Sequence, residues 1–206
     1  MPISENANSK LQSIRTRIPQ RYQRQPIISR LISRYGLNVN IAAALLESHN
    51  HSEGLFDLDL QGSPQQVKAG IAYLQELNVE IFKLKLKNHM RTRIEKSQEQ
   101  DLISNSNVPP ALLFPSTEEE IEGDLTSKEG QTTRTKFQVC IPKDYRTRPV
   151  IAELVSGYGL TINITSAILG EDAQADGWFD LELWGRRRQI VFGLRYLKQL
   201  NLQIWL

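Results

Sequence analysis

Along this chain, short stretches in which apolar and polar residues alternate give way to stretches with apolar residues three and four apart. In Phe137-Gln138-Val139-Cys140-Ile141 every second side chain is bulky and apolar, the period of a strand with one covered face. Ile14–Ile18 is a weaker version of the same pattern. Then Ile28, Leu31, Ile32 and Tyr35 recur at helical spacing, as do Ile151, Leu154, Val155 and Tyr158. A proline opens each of these helices, where its missing N–H costs nothing, and Gly36 or Gly159 closes it. Strands are predicted next over Leu37–Leu46 and Leu55–Gln61, the latter with Phe56, Leu58 and Leu60 on one face and Asp57 and Asp59 on the other. A second helix carries Val67, Gly70, Ile71 and Leu74 on one side, Asn78 caps it, and Val79–Leu84 is a last strand.

The whole pattern occurs twice. Shifting the chain by 123 positions lays Ile14–Lys83 on Phe137–Leu206 without a gap, and 27 of the 70 aligned positions are identical. The identities include Ile18-Pro19 with Ile141-Pro142, Tyr35-Gly36-Leu37 with Tyr158-Gly159-Leu160, and Asn40-Ile41 with Asn163-Ile164. Phe56-Asp57-Leu58 likewise matches Phe179-Asp180-Leu181, and Tyr73-Leu74 matches Tyr196-Leu197.

Each copy therefore reads β-α-β-β-α-β, the ferredoxin-like arrangement. The expected fold is α+β: two tandem domains, each a four-stranded antiparallel sheet with two helices on one face. The boundaries are a disordered tail over 1–13, domain 1 over 14–84, a flexible linker over 85–136 and domain 2 over 137–206. The linker carries Pro109-Pro110, an acidic Glu118-Glu119-Glu120 run and one apolar stretch, Ala111-Leu112-Leu113-Phe114. The sheet face left bare by the helices is where a partner would sit.

Three motifs recur in both copies: Tyr-Gly-Leu-x-(Val/Ile)-Asn-Ile, Gly-x-Phe-Asp-Leu-x-Leu-x-Gly, and Tyr-Leu-x-x-Leu-Asn. Together they resemble the NIL domain, found at the C-terminus of bacterial methionine ABC-importer ATPases and in stand-alone proteins. The family's Asn-Ile-Leu tripeptide reads Asn40-Ile41-Ala42 and Asn163-Ile164-Thr165 here. In the importers such domains pair through open sheet faces and bind methionine there. The resemblance thus implies Asn40, Ile41, Asn163 and Ile164 as ligand-contacting candidates. No Gly-x-x-x-x-Gly-Lys-Ser/Thr phosphate loop is present, so the importer's ATPase activity is excluded.

Strand parity adds to this. Asn40 and Asn163 share a face with small residues (Ala42 and Ala44, Thr165 and Ala167), away from the bulky set. Asp57 and Asp180 stand on the same open face as further ligand candidates, beside Asp59 and Glu182, with solvated outward residues as the plainer reading. Acids there argue against RNA, which needs exposed aromatics for base stacking. Trp184 and the Arg186-Arg187-Arg188 run are interface candidates: an outward Trp is an interface residue type, and three cations at a helix start oppose the helix dipole. His49 and His51 lie near Glu47 and Glu53, but the second copy has no histidine in that loop, so no metal site is expected. Gly70 and Gly193, in mid-helix, point to close helix packing.

Composition narrows the class. A net charge of +2 does not call for a polyanion partner, and nothing approaches the roughly 18 apolar residues of a membrane span. Cys140, the only cysteine, excludes an internal disulfide and is expected to be a small buried strand residue. The reading is a cytoplasmic, non-catalytic regulatory protein without cofactor. It binds an amino acid such as methionine at paired open sheet faces, with the domains pairing within the chain or as a homodimer. The alternative is an adaptor whose tandem domains tether a protein partner.

Overall fold

Side-chain periodicity becomes secondary structure at nearly every predicted place. The computed structural model describes residues 9–47, 53–84, 131–170 and 175–206. The first copy contains β1 (Lys10–Ile18), α1 (Ile27–Tyr35), β2 (Asn38–Leu46), β3 (Gly54–Gly62), α2 (Pro64–Glu76) and β4 (Glu80–Lys83). The second contains β5 (Thr132–Ile141), α3 (Val150–Tyr158), β6 (Thr161–Leu169), β7 (Gly177–Arg186), α4 (Arg187–Gln199) and β8 (Gln203–Trp205). A single turn of 3-10 helix, Gln20–Tyr22 or Lys143–Tyr145, links the first strand of each copy to its first helix. β1 begins at Lys10, inside the expected tail, and β5 at Thr132, inside the expected linker. The rest of that linker, the Ala111–Phe114 stretch and His49 and His51 lie outside the described residues.

Local chemistry sets the element ends. Gly36 and Gly159 take φ of 65° and 64°, and Gly36 N–H donates to the Ile32 carbonyl while Leu37 N–H reaches back to Leu31. Asn78 and Asn201 take the left-handed conformation after α2 and α4. Ser63 and Gln66 form a reciprocal capping box at the start of α2. In the second copy Arg186 replaces that serine. Its backbone N–H still donates to Gln189 Oε1, but an arginine side chain cannot accept the return bond. A Cβ on Gly70 would lie 2.6 Å from Leu37 Cδ1, and one on Gly193 2.7 Å from Leu160 Cδ1, so the mid-helix glycines do mark close packing.

Among the described residues the fold is a mixed α/β one with an antiparallel sheet and four α-helices, but the expected two separate sheets are one. Strand order is β4-β1-β3-β2-β6-β7-β5-β8, and the copies join where β2 runs antiparallel to β6, pairing Ala44 with Leu169, Leu45 with Ile168 and Leu46 with Ala167. The physical reason is that β2 and β6 are each the exposed edge of a four-stranded half, and an unpaired edge is satisfied by another edge. Pairing is thus edge to edge within the chain, not face to face. The helices reinforce it, with α1 packed on α3 and β6, and α3 on β2. One continuous apolar core runs from Ile14 and Ile18 through Leu31, Leu154 and Leu181 to Leu202.

Candidate functional site

The join between β2 and β6 organises the candidate residues, and its detail depends on a bulge absent from the simple alternation. Register shifts between Ile41 and Ala43, and again between Ile164 and Ser166. A bulge inserts one unpaired residue and reverses parity beyond it. Asn40 pairs with Asp59 before the bulge; Ala43 pairs with Asp57 and Leu45 with Leu55 after it. Ala43 and Leu45, rather than Ala42 and Ala44, therefore continue the open face, and Ala44 belongs to the apolar core cluster. Ser166 and Ile168 do the same in the second copy, paired with Asp180 and Trp178.

The two asparagines each reach across to the other copy. Asn40 Nδ2 donates to the Arg146 carbonyl at 3.0 Å, and Asn163 Nδ2 to the Gln23 carbonyl at 2.9 Å. These carbonyls are 123 positions apart, so the bonds are related by the pseudo-twofold axis of the repeat. Asn163 is only 2% exposed. Ile41 and Ile164 are buried in the core beside them. Each asparagine borders a cleft between copies: one lined by Gln23, Gln25, Ile27 and Asn163, the other by Arg146, Arg148, Val150 and Asn40. Their volumes of about 30 and 20 Å³ hold a water molecule, not an amino acid.

A larger space lies on the open face of the sheet. A groove of about 290 Å³ straddles the β2–β6 seam, with Ala43, Leu45, Leu55 and Ile168 as its apolar wall and Arg15 and Asp57 at its polar end. Arg15 Nε and Nη2 each donate to an Asp57 oxygen at 2.7 Å. At the twofold-related positions Gln138 stands for Arg15, Trp178 for Leu55 and Ser166 for Ala43. Asp180 accepts a hydrogen bond from Gln138 at 2.8 Å. Leu45 is 49% and Ile168 58% exposed.

The acids of the open face are therefore partnered by first-strand residues rather than simply solvated. Asp59 accepts from Ser13 Oγ at 2.5 Å. Glu182 is 5% exposed and pairs with Arg134, with Lys136 Nζ at 3.9 Å. The signal was present in the sequence as alternate residues of β1 and β5, and it was missed because those strands were read for their apolar positions. Aromatics were missed on this face as well. Trp178 and Trp205, 41% and 44% exposed, stack with centroids 5.2 Å apart. Trp184, the expected exposed tryptophan, is half-buried with the Arg134 guanidinium 5.6 Å from its ring centre.

Arg186, Arg187 and Arg188 are exposed where β7 passes into α4. Cys140 is buried; burial first, then nearby Asp176, pushes its thiol above the ordinary value. Among the described residues no cluster of three or more His, Cys, Asp or Glu is arranged to hold a metal ion. No helix among them is long and apolar enough to cross a membrane.

Comparison with known proteins agrees with the duplication. The family model of the NIL domain matches residues 12–82 and again 135–205. An uncharacterized protein of Synechococcus elongatus is 35% identical over 74 residues, covering 36% of this chain and 89% of the relative. One from Synechocystis is 45% identical over 64 residues, covering 31% of this chain and 65% of the relative. Among solved structures, the C-terminal domain of an ABC transporter ATP-binding protein from Enterococcus faecalis is similar at 23% identity. That match covers 37% of this chain and 86% of that one, with a TM-score of 0.33.

Proposed function

The chain belongs to the NIL domain family, a regulatory family, and we propose that it is a non-catalytic regulatory module binding one amino acid with an apolar side chain in the open-face groove at the seam. The groove's volume, about 290 Å³, carries this reading, because it approaches the usual range for small-molecule sites. An amino acid offers a carboxylate and an ammonium close together. Arg15 and Asp57 offer their complements at one end of the groove, and Leu45, Leu55 and Ile168 offer an apolar wall for the side chain. In this reading each copy is a ferredoxin-like half, and neither half alone contains the groove. Asn40 and Asn163 act on the ligand by holding the seam in register, not by touching it.

Thermal shift and calorimetry with each of the twenty amino acids test this. A ligand that binds only the folded chain stabilises it, by about 2.7 kcal/mol at a hundred times its Kd. We expect methionine or another apolar amino acid to raise the melting temperature. Arg15→Gln and Asp57→Asn should abolish that rise, whereas Gln138→Ala on the far side should not. No shift with any amino acid at millimolar concentration would remove the proposal.

A further inference from the structure

We propose that the open face of the sheet carries a docking site for a basic amphipathic helix of a partner protein. The helix lies across the strands, over one row of exposed apolar side chains. Two features carry this: the alignment of the row and the charge at its ends.

Cross-strand register builds the row. Leu55 of β3 pairs with Leu45 of β2, Leu45 with Ile168 of β6 across the seam, and Ile168 with Trp178 of β7. Residues directly opposite one another point to the same side of a sheet, so these four stand in one line. They are 37%, 49%, 58% and 41% exposed, and the Trp178 ring stacks on that of Trp205. Of the eight large hydrophobic side chains exposed among the described residues, five belong to this row and its stack. Exposed apolar residues scattered singly need no explanation, but a contiguous run of them marks a contact surface. The amino-acid groove takes one flank of the row, toward Arg15 and Asp57; Trp178 and Trp205 lie outside its lining.

Charge gathers at both ends. Beside Leu55, Arg17 is its register partner and forms ion pairs with Glu53 and Glu80, one cation to two carboxylates. Asp57, the next open-face residue of β3, is matched by Arg15. Asp180, the next open-face residue after Trp178, accepts instead from the neutral Gln138 amide. Four carboxylates thus stand against two guanidinium groups around the row, with surplus negative charge at the Leu55 end and at the Trp178 end.

Spacing selects a helix. Strands lie about 4.8 Å apart, so Leu55 to Trp178 covers about 14 Å in three even steps. A helix brings its apolar stripe round once per turn of about 5.4 Å, and three turns match the row. An extended segment repeats on one side only every 6.8 Å or so and falls out of step. Lysine or arginine beside the apolar stripe then meets the surplus carboxylates. Nucleic acid and anionic lipid carry the same sign as that surplus and are repelled. A second copy placed face to face would set the surplus against itself.

The test uses the full chain and a tryptophan-free peptide of about fourteen residues, with leucines along one helical stripe and lysines on either side. The chain's tryptophan emission should shift to the blue and saturate below about 1 mM peptide, as the helix excludes water from Trp178. Calorimetry reads the affinities. Leu45→Ser with Ile168→Ser, both at exposed positions, should weaken binding about tenfold or more, as should Trp178→Ser. Phe192→Ser, at an exposed position of α4, should change it by less than about twofold. Asp180→Lys should weaken it about threefold or more and flatten its salt dependence. Urea unfolding checks that each variant is folded. A peptide of the same composition with leucine at every second position should bind at least about fivefold more weakly. So should one with glutamate in place of lysine, again by about fivefold. Equal binding of either control peptide, no saturation, or unchanged affinity in the serine variants would each overturn the proposal. So would a dimer in sedimentation that Leu45→Ser with Ile168→Ser abolishes, since a second copy would then cover the face. The peptide is added without any amino acid, so this proposal and the amino-acid groove fail separately.

Discussion

Replacing Asn163 by alanine is the sharpest probe of how the two copies are held together. The side chain is 2% exposed and its amide donates across the seam to the Gln23 carbonyl at 2.9 Å. A typical hydrogen bond contributes about 1 kcal/mol net, and loss of a buried partner raises the cost to about 1–3 kcal/mol. We therefore expect Asn163→Ala to destabilise the chain by about 2 kcal/mol. Asn40 makes the twofold-related bond at 3.0 Å but is only half-buried, so water can replace its amide. Asn40→Ala should cost about 1 kcal/mol. The two sites share no partner, so the double variant should lose about 3 kcal/mol. Equilibrium urea unfolding measures these differences, with an unchanged slope expected for each variant. In melting temperature, Asn163→Ala should fall by about 4–8 °C. A loss below about 0.5 kcal/mol, or a larger loss for Asn40→Ala, would refute the idea that burial of this bond sets its worth. Asn163→Asp sharpens the point. Burial raises its carboxyl pKa in the folded state, so its stability is full below the unfolded value of about 3.9 and falls as pH rises. It should be worse than alanine at pH 7 and recover toward pH 4.

Four further outcomes follow from the geometry. Gly157 lies in α3 with nothing within 4 Å of where a Cβ would stand, so Gly157→Ala should stabilise by about 0.5–1 kcal/mol in urea. Gly70→Ala places its methyl 2.6 Å from Leu37 Cδ1 and should instead destabilise by about 1–2 kcal/mol. Arg186→Ser restores the missing half of the capping box and removes a cation from a helix start, for a gain of about 1 kcal/mol in thermal unfolding. Cys140, buried and with its thiol pKa raised, should react with a disulfide reagent far more slowly in the folded chain than in urea. Its contribution to stability is present below the ordinary thiol pKa of about 8.5 and lost as pH rises through the folded value. Thiol release followed by absorbance from pH 7 to 10 checks the direction.

The elements were legible because local chemistry decides them. Gly36, Asn78 and Ser63 each fix a helix end through the chain's own backbone, and apolar spacing reveals which side is covered. The joining of the two halves was not legible, since it depends on which strand edges remain unpaired after each half has folded. That is a property of the assembled sheet, not of β2 or β6 read alone. The parity argument for Asn40 holds as far as its register pair with Asp59. It failed beyond Ile41 because a bulge costs only one residue and leaves no distinctive composition: Ala42-Ala43-Ala44 conceals it entirely. The open-face acids were seen, but their partners Ser13, Arg15, Gln138 and Arg134 lie more than forty positions away, and only cross-strand register connects them.

Duplication within one chain has a consequence that a pair of identical subunits cannot share. In a symmetric dimer every change is made twice, on both sides of the axis. Here the same three positions carry Gln25, Arg30 and Tyr73 in one copy and Arg148, Glu153 and Tyr196 in the other. In the first copy Arg30 donates to Gln25 Oε1 and to the Tyr73 hydroxyl at 3.0 and 3.4 Å. In the second, Arg148 instead donates to Glu153, and the Tyr196 hydroxyl also donates to that carboxylate. Burial, then that bond, holds the hydroxyl protonated well above the ordinary tyrosine range. The aromatic packing is kept in both, Tyr35 on Tyr73 and Tyr158 on Tyr196, each at 5.2 Å. Shared packing with exchanged charge means that the scaffold constrains shape while leaving each half free to change its chemistry. A groove that straddles the seam yet carries its charged pair, Arg15 and Asp57, on one side only is what that freedom permits.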